Sequence, residues 1–199
     1  MKNLIKSSRI LGLLALMLLT QVTLYAQSTW KVDPAHAKVT FSTLHNTISD
    51  VDGLFNSFES SVTAKNSDFS DAVFTLSIDV KSIDTEIKMR DDHLRSGDFF
   101  EVEKFPTITF KSTSVEKTST KNRYKLKGDL TMRGITKVVV MDLWYRGAIT
   151  DPNSGNEIAG FQVTGELNRL DFGVGPKFPE ALIGNKVAIK ADGEYIKQK

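Results

Sequence analysis

The chain has 199 residues, three His, no Cys, and 26 Lys+Arg against 24 Asp+Glu. Without Cys there is no disulfide framework, so the fold must rest on its core. A balance this close to neutral supplies no basic patch for nucleic acid.

The first stretch reads as an export signal. Lys2, Lys6 and Arg9 form a positive start, Ile10–Leu19 is an apolar run, and Ala26 offers a small residue for cleavage before Gln27. The run is short for a spanning helix. No Cys follows it, which excludes a lipid-anchored lipoprotein. The predicted mature part, 27–199, has 23 basic residues against 24 acidic ones, because the signal holds three bases and no acid. Its 173 residues suit one domain with a sizeable core.

In chain order, Ser28–Val32 and Lys38–Leu44 read as strands joined by a turn at Asp33-Pro34-Ala35-His36. Val51–Thr63 reads as one long strand with a bulge or bend at Gly53, and Asn66–Asp71 as a polar loop. In Ala72–Val80, Ala72, Phe74, Leu76, Ile78 and Val80 alternate with Val73, Thr75, Ser77 and Asp79. That is a strand with one apolar face. A charged helical insertion follows over Glu86–Ser96, with Asp84 or Thr85 as the expected N-cap and Gly97 as the stop. Thr107–Val115 resumes as strand. Arg123–Met132 and Ile135–Tyr145 form a hairpin through Arg133-Gly134, where Gly134 is free to take positive φ. Lys137–Tyr145 is apolar on both faces except at Asp142, which predicts cover on each side. Asp151–Asn156 is a dense turn cluster. Ile158–Leu170 is a strand, Asp171–Asn185 a long loop, and Lys186–Ile196 the last strand.

About eight antiparallel strands and one helix result. Either a sandwich or a closed barrel fits, and strands this long favour the barrel. A membrane-embedded barrel would be apolar outward. The closing strand instead carries Lys186, Lys190, Asp192 and Glu194, so a soluble barrel with its apolar face inward is the better reading.

Four stretches carry a resemblance. They are Trp30–His36; Arg90–Leu94 with Asp98–Phe100 and Phe105–Ser112; Gly128–Lys137; and Asn168–Val174. Together they resemble the YceI-like family of exported, lipocalin-like proteins over essentially the whole mature chain. Ala37 departs from the Ser that often follows the His in that family. The resemblance implies an extended eight-stranded antiparallel barrel, with a helix over one side and a long apolar lumen. That lumen would hold a polyisoprenoid or a similar long-chain lipid, such as a quinone tail or an isoprenyl phosphate.

Three kinds of site compete. His36, His45 and His93 have no helical i, i+4 pairing and no His-Glu-x-x-His pattern, so no metal site is expected. Asp91, Asp92, His93 and Asp98 offer an acid–base cluster, but no nucleophile signature accompanies them. A salt-bridged helix is the plainer account, and no catalytic residue is assigned. The apolar strand faces place Phe74, Leu76, Ile78, Ile108, Phe110, Tyr124, Leu126, Leu130 and Phe161 inward. Patterning alone cannot separate a filled core from a cavity; the resemblance selects the cavity. Arg90, His93, Arg133 and Arg169 are the candidate head-group contacts.

The reading is an exported, periplasmic or secreted, soluble single-domain barrel. It binds a long-chain isoprenoid or fatty lipid and makes or breaks no bond. No cofactor is expected beyond a bound isoprenoid or quinone-like lipid as ligand. No nucleic acid and no stable membrane insertion after cleavage are expected, and a homodimer is compatible with the sequence. Two alternatives stay open: an enzyme acting on a lipid head group near His93, and a filled β-domain serving as an interaction module.

Overall fold

The computed structural model describes residues 27–199; the export-signal reading falls on residues 1–26, outside those described. The elements are β1 (Ser28–His45), β2 (Ser49–Phe55), β3 (Phe58–Ala64), β4 (Val73–Asp79), β5 (Ile83–Asp84), α1 (Lys88–Arg95), β6 (Thr107–Lys117), β7 (Arg123–Met132), β8 (Ile135–Thr150), β9 (Glu157–Asn168) and β10 (Ile183–Lys197). Short 3-10 turns lie at Val80–Ser82 and Arg169–Phe172.

The strands run in the order β10-β9-β8-β7-β6-β4-β3-β1, and β1 pairs back onto β10 to close the sheet. β2 and β3 both pair antiparallel with β1, at its two ends, and act as one interrupted strand. The result is a closed antiparallel barrel of eight strands with one helix, as the alternation and the resemblance lead one to expect. Closure leaves no long unpaired edge to manage. β7 shows the polarity of the wall: Tyr124, Leu126 and Leu130 are buried while Lys125, Lys127 and Asp129 are exposed. That is the reverse of a lipid-facing barrel. No helix among the described residues is long and apolar enough to cross a membrane.

Four local expectations are corrected. The chain does not turn at Asp33–His36. Val32 pairs with Tyr195 and Ala37 with Gly193, so four residues of β1 bulge opposite Glu194 and the strand continues. The Val51–Thr63 stretch breaks at Asn56-Ser57, not at Gly53, which stays in register opposite Phe41. Gly53 is needed because a Cβ there would lie 2.3 Å from the Phe41 ring and 2.8 Å from Thr85 Cγ2. The outer face of β8 is uncovered, with Val138 61% and Val140 58% exposed. Its apolar residues on that side are therefore surface, not a second packed layer.

The helix is the fourth correction. Neither Asp84 nor Thr85 caps it; Ile87 occupies the N-cap with no side-chain bond. The tie runs the other way. Asp91, buried within the helix, accepts a hydrogen bond from the Thr85 backbone N–H at 2.9 Å and another from the Thr85 hydroxyl. Arg90 adds bonds from Nε to Thr85 Oγ1 at 2.7 Å and from Nη2 to the Thr85 carbonyl at 2.6 Å. A buried carboxylate with these donors is satisfied without a counter-ion. The predicted hairpin turn is present: Arg133 (φ 50) and Gly134 (φ 73) both take positive φ between paired Met132 and Ile135, the pattern of a type I′ turn.

Candidate functional site

The barrel encloses a cavity of about 200 Å³ whose wall is almost wholly apolar. Phe74, Leu76, Ile78, Ile108, Phe110, Leu126, Leu130 and Phe161 all line it. Tyr124 does not: its ring is buried, and its hydroxyl donates to the Asp68 carbonyl at 2.6 Å. β1 and β10 supply further wall residues, among them Val39, Phe41 and Ile189. These three and Leu76 point inward yet are only partly buried. Their remaining surface faces the cavity instead of packed neighbours.

One end of the lumen is sealed by aromatic rings. Phe69, at φ 58 in the loop read as polar, turns inward and is 3% exposed. It meets Trp30 at 5.5 Å, Tyr145 at 4.9 Å and Phe161 at 4.9 Å between centroids. Edge-on and tilted contacts of this kind add to the area buried. A lone aromatic in an otherwise polar run was the available signal for this plug.

The other end lies under α1 and the loops that flank it. Leu94, Phe99, Phe100, Phe172 and Val174 line the cavity there. Phe99 stacks on Phe178 at 4.8 Å, and His93 meets Phe99 edge-on at 5.0 Å. Arg169 holds this end together. It is 5% exposed and spends all five N–H donors on backbone carbonyls: Nε on Gly184, Nη1 on Val174 and Gly175, and Nη2 on Phe178 and Ile183. Burial pushes its pKa down. With no donor left, it acts as a clamp for the segment 173–184.

The other predicted head-group residues are likewise committed and apart. Arg133 donates to the carbonyls of Gly173 and Gly97 and pairs with Glu101. Arg90, tied to Thr85, borders a second depression that Asp50 and Asp52 also line and that shares Phe41 and Ile189 with the lumen. His93 is half-exposed, 3.4 Å from Asp98.

The acidic residues beside it do not form a catalytic group. Asp91 turns inward to Thr85, Asp92 pairs outward with Lys88 and Arg95, and Asp98 is shared between Lys177 and His93. Ser96 donates its hydroxyl to the His93 carbonyl at 2.7 Å, so it is not aligned on the ring.

His36 lies elsewhere, on the β1 bulge. Its Nδ1 is 2.8 Å from Asp33 Oδ2 and 4.0 Å from Glu194 Oε2. The Asp33 hydrogen bond raises the His36 pKa, and in return holds the Asp33 carboxyl below its usual range. Both His36 and Glu194 are exposed, so the group is a surface ion pair.

One polar pair stands inside the apolar wall. Tyr195 Oη is 2.8 Å from Ser60 Oγ, and both residues line the cavity. Burial pushes the Tyr195 phenol up, opposed by the Ser60 contact.

The chain and its fold are similar to known proteins. A family model, the YceI-like domain, covers residues 30–195. A UPF0312 protein of Staphylococcus aureus (strain N315) is 37% identical over 169 residues, spanning 82% of this chain and 94% of that protein. The fold is similar to crystal structures of BcnA from Burkholderia cenocepacia (TM-score 0.73, 22% identity, 84% of this chain and 99% of that one) and of a YceI protein from Campylobacter jejuni (TM-score 0.71, 26% identity, 76% and 88%). It is also similar to a polyisoprenoid binding domain from Saccharophagus degradans (TM-score 0.65, 14% identity, 87% and 100%). By the span of the family model and the identity to its relatives, the chain belongs to the YceI-like domain family.

Proposed function

We propose that the protein is an exported, water-soluble carrier or store that holds a polyisoprenoid or similar long-chain lipid in the barrel lumen, in the periplasm or outside the cell. The observation that carries this is the cavity wall: inward side chains such as Leu76, Phe41 and Ile189 keep apolar surface turned to the lumen. Apolar surface left facing a cavity gains about 25 cal/mol per Å² when a lipid chain covers it. A Saccharophagus degradans neighbour of the same fold is a polyisoprenoid binding domain, which supports the ligand class. The charged start and apolar run at Lys2–Leu19 support export. The separation of His93, Asp92 and Asp98 from any aligned nucleophile supports binding over catalysis.

The test is titration of delipidated protein with a long-chain isoprenoid, beside Leu76→Arg. A charge set in the lumen has no partner there and is strongly unfavourable against a lipid chain. Saturable binding by the wild type that Leu76→Arg abolishes, with the β-sheet circular dichroism retained, supports the reading. Equal binding by both, or none by the wild type, refutes it.

A further inference from the structure

The Ser60–Tyr195 pair is a polar point in the cavity wall. Ser60 has one hydroxyl proton and donates it to the Thr75 carbonyl at 2.7 Å. The 2.8 Å contact between Ser60 Oγ and Tyr195 Oη must therefore use the Tyr195 proton. Tyr195 Oη is left with an unused acceptor lone pair and no free donor. Two further polar residues of the wall are also engaged: Thr75 Oγ1 pairs with Ser61 at 2.8 Å, and Arg169 is spent on carbonyls. Tyr195 sits toward the sealed end, 5.4 Å from Phe161 of the aromatic floor.

We propose that Tyr195 is a ligand-specificity residue, and that it selects a long-chain alcohol whose free hydroxyl enters first and donates to Tyr195 Oη. This rests on the lipid-holding reading above. A ligand hydroxyl adds a hydrogen bond without breaking one. A carbonyl or ether oxygen would set lone pair against lone pair, or force Tyr195 to release Ser60. A phosphate would bring charge against the largely apolar wall beside Tyr195, which is costly. The lumen thus accepts the uncharged alcohol in preference to its oxidised, etherified or phosphorylated forms.

The experiment compares four probes on delipidated full-length mature protein: geranylgeraniol, its methyl ether, its aldehyde and the parent hydrocarbon. Wild type is expected to bind the alcohol roughly three- to tenfold more tightly than the ether, the range that one net hydrogen bond supplies. Tyr195→Phe should remove that preference, so that the alcohol and its ether bind alike. Ser60→Ala frees the Tyr195 proton, so it should raise aldehyde affinity relative to alcohol, a reversal that a purely structural role for the pair would not produce. Far-ultraviolet circular dichroism and melting check that each variant folds. Binding of all four probes without discrimination, or retained discrimination in Tyr195→Phe, overturns this proposal alone. Failure of every probe to bind overturns the lipid-holding reading, and this proposal with it.

Discussion

Phe69 meets Phe161 edge-on, with ring centroids 4.9 Å apart and an interplanar angle of 85°. This contact closes one end of the barrel, because Phe161 in turn packs on Phe74, Tyr145 and Tyr195. Phe69→Ala removes the plug and leaves a void among rings that cannot collapse fully. The expected cost is about 3–5 kcal/mol of unfolding free energy in denaturant. A loss under about 1 kcal/mol would show that the ring is not a structural floor.

Asp68, next to Phe69, fixes the same loop from outside. Its carboxyl is lowered to about 2, first by its bond with Lys117 and then by Ser70. A depressed carboxylate contributes stability above its unfolded value near 3.8, and loses it as pH falls through about 2. Asp68→Asn should therefore lower the melting temperature at neutral pH and leave it nearly unchanged well below pH 2, where the wild type has lost the same charge. A melting difference that is constant across this range would remove the ion pair from the account.

Arg169→Lys is expected to be far from conservative. Lysine brings three donors on a flexible stem where five planar donors now meet five carbonyls. With at least two carbonyls losing their partner, the cost should be about 2–4 kcal/mol. Hydrogen exchange should quicken over 173–184 before the rest of the barrel. Uniform exchange throughout the chain would contradict the clamp.

His36 titrates above its usual 6.5 because Asp33 favours the imidazolium, while Asp33 titrates below 3.8. The Asp33 part of this contribution is complete above about pH 3.8 and fades as pH falls through its lowered value. The His36 part is complete below about 6.5 and fades as pH rises through its raised value. A proton–nitrogen titration should find the His36 midpoint above 6.5, returning toward it in Asp33→Asn. An unmoved midpoint in that variant would show the pair does not form in solution.

Leu76→Ala separates a cavity wall from a packed core. In a filled interior this change typically costs about 2–5 kcal/mol. Leu76 keeps surface toward the lumen, so delipidated protein should lose only about 1–2 kcal/mol, the value for apolar area alone. Denaturant unfolding measures it, and a loss of 4 kcal/mol or more would mean a packed interior at that level.

Much of this was legible in residue order. Strict alternation in Ala72–Val80 gave the inward face of β4, because the side-chain period of a strand is two. Arg133-Gly134 announced a two-residue hairpin through its need for positive φ. The bulge at Asp33–His36 was hidden, since proline and a short polar run mark turns and bulges alike. Phe69 was hidden by its polar neighbours, because alternation says nothing about a ring that a loop folds inward. The Arg169 clamp has no sequence period at all: its five acceptors are backbone carbonyls, which every residue carries. Lys137–Tyr145 misled for the opposite reason. Val138 and Val140 suit a strand by their branched shape, and that propensity does not require cover.

The most direct measurement is native mass spectrometry of the protein purified from its own host under conditions that keep noncovalent lipids bound, followed by solvent extraction. The lumen described here predicts one long-chain lipid per chain, released as an isoprenoid on extraction. The bare polypeptide mass, with no uptake after incubation with a long-chain isoprenoid, would contradict it.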